Sequence, residues 1–144
     1  VLELDTDGTE QAEHFINAVG EALSGRLIPA VEVRLRGLYR LLPPDYYEAA
    51  DNLADFCDRI EKQYGVRPVI YCTERTYKNI VASDSRFNKD KIWYESLFSK
   101  PDEDMDWTFW TYTNRVKFSF YERSEYLHMT VFNGSEDDFK KLII

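Results

Sequence analysis

The chain is poor in the residues that hold metals or lock small folds covalently. Its 144 residues include two cysteines, Cys57 and Cys72, and two histidines, His14 and His128. No CxxC pair or His/Cys cluster can be made from these four, which argues against a zinc site, and two thiols do not make a disulfide framework. No cofactor or metal is expected. Long apolar runs are also missing: the longest, Val69 to Cys72 and Leu142 to Ile144, fall far short of the ~20 residues that a bilayer requires. Basic charge is in the minority, with 18 Lys and Arg against 26 Asp and Glu for a net charge of -8. A chain this acidic is a poor partner for a nucleic-acid backbone, which is bound mainly through clustered Lys and Arg. The opening Val1-Leu2-Glu3-Leu4-Asp5 carries neither a basic leader segment nor an initiator Met. Val1 therefore reads as a processed or chosen end, and the compartment cannot be read from it. Repeats, low-complexity tracts and Gly/Ser linkers are absent too, so residues 1–144 are expected to form one domain. What is abundant is aromatic side chain, at 15% of residues, enough to build a real core.

Periodicity alternates between helix and strand. Ala12, Phe15, Ile16, Val19 and Leu23 follow helical spacing, and Asp7 with Glu10 three residues on marks a helix start, so a helix is expected over Gly8 to Leu23. Ile28 to Leu35 alternates, with Val31, Val33 and Leu35 on one face and Glu32 and Arg34 on the other. A second helix is expected after Pro43-Pro44-Asp45, with Ala49, Leu53, Phe56 and Ile60 as its buried stripe and Gly65 and Pro68 ending it. Arg67 to Cys72 reads as a strand buried on both faces, and Glu74 to Ala82 as a short helix. Further strands are expected at Lys91 to Tyr94, Trp107 to Thr113, Val116 to Glu122 and Leu127 to Phe132, followed by a last helix capped by Ser135 and Asp138. With a strand at Val1 to Leu4, the order suggests an α/β layer or partial barrel.

Several segments together resemble the family-25 glycoside hydrolases, the Chalaropsis-type lysozymes that cut peptidoglycan. They are Asp7 to Phe15, Ile28 to Val33, Tyr64 to Tyr71, Ile92-Trp93, Trp107 to Tyr112 and Val131 to Ser135. The resemblance implies a TIM-like β/α barrel with its site at the carboxyl ends of the strands. A complete barrel takes about 250 residues, and this chain begins at what resembles the family's third strand. The expected fold is therefore an incomplete barrel lacking the first two strands and the aspartate carried on the first. Where the family has Asp-x-Glu, this chain reads Glu32-Val33-Arg34. Where it has Asp-x-Asn, the chain reads His128-Met129-Thr130, and Trp-Gln-Tyr becomes Trp110-Thr111-Tyr112. By the same resemblance, an extracellular or cell-surface origin is expected.

These departures bear directly on chemistry. Glycoside cleavage needs a proton donor at the leaving oxygen and a second carboxylate, or an equivalent, at the anomeric carbon. Arg34 stands where the resemblance places the donor, and a guanidinium does not give up its proton at physiological pH. A catalytically inactive lysozyme-like domain is expected, retained for binding cell-wall glycan or a protein partner. The alternatives are an active muramidase completed by strands from elsewhere and a purely structural module. Glu32, Arg34 and His128 read either as a remodelled polar pocket or as an internal ion pair. Tyr71, Trp93, Trp110 and Tyr112 read either as a sugar-stacking platform or as core. An open sheet edge, expected at Val1 to Leu4, should be covered locally or paired with a second copy.

Overall fold

Strands and helices alternate along the chain and wind in one direction. The computed structural model describes residues 1–118 and 126–144. Its strands are β1 (Ala30–Val33), β2 (Val69–Thr73), β3 (Ile92–Glu95), β4 (Phe109–Val116) and β5 (Leu127–Phe132), arranged in that order in one sheet. β1 to β4 are parallel, and β5 returns antiparallel to β4. Helix α1 (Gly8–Val19) precedes β1, and α2 (Tyr46–Tyr64) joins β1 to β2. α3 (Glu74–Thr76), which continues as a π-helical turn over Tyr77–Val81, follows β2, and α4 (Glu136–Lys140) follows β5. Parallel neighbours in chain order with helical crossovers are the winding of a β/α barrel, here present in part.

The sheet's two faces have different jobs. Val31, Val33, Ile70, Cys72, Ile92 and Tyr94 lie on the helix side and are buried against Ala12 and Ile16 of α1 and Leu53, Phe56, Cys57 and Ile60 of α2. Each such side chain contributes roughly 1.5–3 kcal/mol on leaving water. Alternation turns the other set inward, toward what would be the barrel interior. α1 and α2 approach unusually closely, because Gly8 sits against the α2 backbone: a Cβ there would lie 1.9 Å from the carbonyl oxygen of Asn52.

The structure departs from the sequence expectations at three places. α1 stops at Val19 rather than Leu23, because Gly20 takes a φ of 100°, a conformation that only glycine adopts freely. Val1 to Leu4 is not a strand; its Leu2 N–H donates to the carbonyl of Glu32 at 2.9 Å, and Leu2 and Leu4 are each 2% exposed. The segment lies along β1, so β1 is the edge strand and the first residues cover it locally. β4 runs unbroken from Phe109 to Val116, and residues 119–122 of the strand expected at Val116 to Glu122 lie outside the described residues.

The last residues close the fold from below. Ile28 N–H donates to Leu142 O at 2.8 Å, Ile144 N–H to Arg26 O at 2.8 Å and Gly25 N–H to Ile144 O at 2.6 Å, around an antiparallel bridge between Leu27 and Ile143.

Candidate functional site

The inward face of the sheet carries two rows of side chains in register. Glu32 pairs with Tyr71, Tyr71 with Trp93, Trp93 with Phe109 and Phe109 with Phe132. One step toward the carboxyl ends, Thr73 pairs with Glu95, Glu95 with Thr111 and Thr111 with Thr130. The first row is mostly aromatic: ring centroids are 5.0 Å apart for Tyr71 and Trp93, 5.2 Å for Trp93 and Phe109, and 5.4 Å for Phe109 and Phe132. Phe139 of α4 closes its far end, 5.3 Å from Phe132.

At the carboxyl ends of β1 to β3, Arg34 organises the polar groups. Its Nε donates to Glu32 Oε1 at 2.5 Å and its Nη2 to Glu95 Oε2 at 2.7 Å. Nη2 also lies 3.3 Å from the hydroxyl of Tyr71, which itself donates to Glu95 Oε2. Arg36 makes a longer contact, 3.4 Å, to the other oxygen of Glu32. Burial opposes charge on Glu95, which is 8% exposed, yet the hydrogen bonds from Arg34 and Tyr71 outweigh it and hold this carboxyl below its ordinary value. Burial likewise opposes the Arg34 cation, and Glu95 and Glu32 more than offset it, so its pKa rises above the arginine norm. Burial, then the Glu95 hydrogen bond, pushes the Tyr71 phenol upward.

Glu32, Arg34 and His128, with Arg36, Arg40 and Tyr71, line one open cleft of about 560 Å³. The aromatic candidates separate. Tyr71 lines the cleft, but it is stacked on Trp93 and has the Arg34 guanidinium 5.7 Å from its ring centroid. Trp93 is anchored sideways by its Nε1–H, which donates to Thr111 Oγ1 at 2.9 Å, and Thr111 bonds Thr130 at 2.7 Å. Trp110 and Tyr112 flank Thr111 on β4 and so project from the opposite face; they pack on each other at 5.8 Å, and the Trp110 Nε1–H donates to the carbonyl of Ser96. They share no surface with Tyr71 and Trp93.

Glu95, Arg36 and Arg40 were not singled out from sequence. Glu95 did leave a signal: it ends the strand Ile92-Trp93-Tyr94-Glu95 two residues past Trp93, where alternation puts both on one face. Cys57 and Cys72 are buried and unpaired; desolvation pushes the Cys57 thiol up to about 12 and the Cys72 thiol further. Among the described residues no group of three or more His, Cys, Asp or Glu is placed to hold a metal ion, and no helix is long and apolar enough to cross a membrane.

A polar site at the carboxyl ends of parallel, singly wound strands is the arrangement of β/α-barrel enzymes. Residues 2–119 match the family model for glycosyl hydrolases family 25, and the chain belongs to that family. A family 25 glycosyl hydrolase from Bacillus anthracis is 29% identical and superposes with a TM-score of 0.85 over 99% of this chain. The chain spans 65% of that protein's length. A family GH25 lysozyme from Aspergillus fumigatus, at 17% identity and a TM-score of 0.74, shares the fold over 95% of this chain and 66% of its own. A bacterial lysozyme from Streptomyces coelicolor does so at 24% identity and a TM-score of 0.69, over 95% of this chain and 66% of its own. No curated protein matches the chain.

Proposed function

We propose that this domain binds glycan of the cell-wall type without hydrolysing it. The observation that carries the reading is Arg34 held between Glu32 and Glu95. General acid catalysis, commonly worth 10² to 10⁴ in rate, asks for a carboxyl that keeps its proton near neutral pH. Glu95 is held in the opposite sense, with its pKa lowered, and Arg34 is an even weaker proton donor than an ordinary arginine. Glu32 faces guanidinium groups at both of its oxygens. The carboxylates at this site therefore serve as acceptors that fix Arg34 in the cleft wall. Binding to a cell-wall glycan is supported by membership of a family whose solved relatives include lysozymes and by the cleft at the barrel's usual site.

Two assays on the purified chain test the reading. A cell-wall suspension should show no loss of turbidity, while muropeptides or chitooligosaccharides should shift the tryptophan fluorescence saturably, with Trp93 stacked behind Tyr71 as reporter. Clearing that is abolished by Glu32→Gln or Glu95→Gln would overturn the non-hydrolytic part. Unchanged fluorescence at millimolar sugar would overturn binding and leave a structural module.

A further inference from the structure

We propose that the cleft is built for an acidic saccharide, one carrying a carboxylate on the sugar, and that Arg36 and Arg40 receive that carboxylate. The inference rests on the glycan-binding reading and narrows its ligand. Three arginines and one histidine line a single cleft on a chain of net charge -8. Glu32 and Glu95 are both consumed by Arg34, so the cleft holds one more cation than anion before His128 is considered. Arg34 is spent in the same way. Arg36 touches Glu32 only at 3.4 Å and its side chain is 57% exposed, a contact weak enough to be exchanged for a ligand. Arg40 makes no side-chain hydrogen bond or ion pair among the described residues. Its backbone, however, is held: Arg75 Nη1 donates to the Arg40 carbonyl at 3.0 Å, which fixes the turn Gly37–Arg40 at the cleft wall.

Stacking surface, by contrast, is in short supply. Tyr71 is covered by Trp93 and flanked by Arg34, and Trp110 and Tyr112 face away. A neutral sugar, which binds through ring faces and hydroxyls, should therefore bind more weakly here than one that also carries a carboxylate. A carboxylate finds planar guanidinium forks suited to two parallel hydrogen bonds. The chain's net charge of -8 disfavours anions overall, so a local excess of positive charge also selects where such a ligand lands.

Tetragalacturonate, its fully methyl-esterified form, chitotetraose and a tetraglutamate peptide, each titrated at low salt and followed by tryptophan fluorescence or calorimetry, make the test. Tetragalacturonate should bind about tenfold or more tighter than its ester, a difference of ~1.4 kcal/mol, and tighter than the peptide. The preference should shrink as salt rises. The double substitution Arg36→Gln/Arg40→Gln should reduce the acid-to-ester ratio to near one, with an unchanged circular dichroism spectrum showing that the variant folds. Equal binding of acid and ester, or a preference that survives in the double variant, would overturn the proposal; equal binding of peptide and saccharide would overturn its sugar component. Chitotetraose binding without any acid preference sinks this inference alone, whereas no binding by any saccharide sinks the glycan-binding reading as well.

Discussion

Arg34 reaches from the end of β1 over β2 to the Glu95 carboxylate on β3, bridging 2.7 Å between groups 61 residues apart in sequence. The same guanidinium holds Glu32 on its own strand. One side chain thus ties three strands together at the point where parallel strands splay and where a ligand would enter.

Removing it should be costly. Arg34→Leu leaves Glu95, 8% exposed, without its main cationic partner. Breaking a fully buried pair typically costs 3–5 kcal/mol; because about a quarter of the Arg34 side chain is in water, a loss of about 2 kcal/mol is expected. Urea denaturation reads this directly. Glu95→Gln, which removes the charge and keeps a hydrogen-bonding side chain, should lose less, and Arg34→Leu combined with Glu95→Gln should recover part of the single-variant loss.

Acid should weaken the same link. The folded-state pKa of Glu95 lies below its ordinary 4.5, so the unfolded chain binds the proton more readily. The stabilisation is complete above about pH 4.5 and disappears as pH falls through the lower folded value. Urea midpoints measured from pH 6 down to pH 3 should therefore decline less steeply in Glu95→Gln than in the parent. Parallel curves would remove Glu95 from the account of acid sensitivity.

Gly8→Ala should be severely destabilising even though alanine favours helices. The new methyl carbon would stand 1.9 Å from main-chain oxygen of α2, where no side chain can swing aside. Overpacking of this kind costs typically 1–3 kcal/mol and occasionally more; a loss at the upper end, about 3 kcal/mol, is expected. Thermal melts followed by circular dichroism will show it, and a melt within a degree or two of the parent contradicts the close helix contact.

Thr111→Val tests the chain that runs from Trp93 through Thr111 to Thr130. Valine matches the shape of threonine but leaves the Trp93 indole N–H and the Thr130 hydroxyl without their partner in a half-buried setting. A penalty of about 1–3 kcal/mol is expected, together with a shift in tryptophan emission.

Much of this was legible in the residues. Alternation at Ile28 to Leu35 placed Glu32 and Arg34 together, and the stripe Ala49, Leu53, Phe56 and Ile60 is the buried face of α2. Ser135 and Asp138 cap each other reciprocally as their spacing suggested. What escaped were relationships that span several elements. Glu95 is 61 residues away from the arginine it serves, and only the β1-β2-β3 register brings the two within reach. Trp110 and Tyr112 share a motif with Thr111, but strand alternation divides it, sending the threonine inward and both rings outward. The first four residues were expected as the edge strand of a truncated barrel; one backbone bond to β1, side-chain bonds from Gln11 and Asn52 and the burial of Leu2 and Leu4 seat them without strand pairing.

The tail bridge between Leu27 and Ile143 has a kinetic meaning. Contacts that join positions more than a hundred residues apart delay the search for the native topology. Residues 25–28 leave the ribosome early and must wait for residues 142–144, so the lead-in to β1 stays without its partner until synthesis of this stretch is over. A chain without residues 142–144 should therefore leave residues 25–28 unpaired and open to protease.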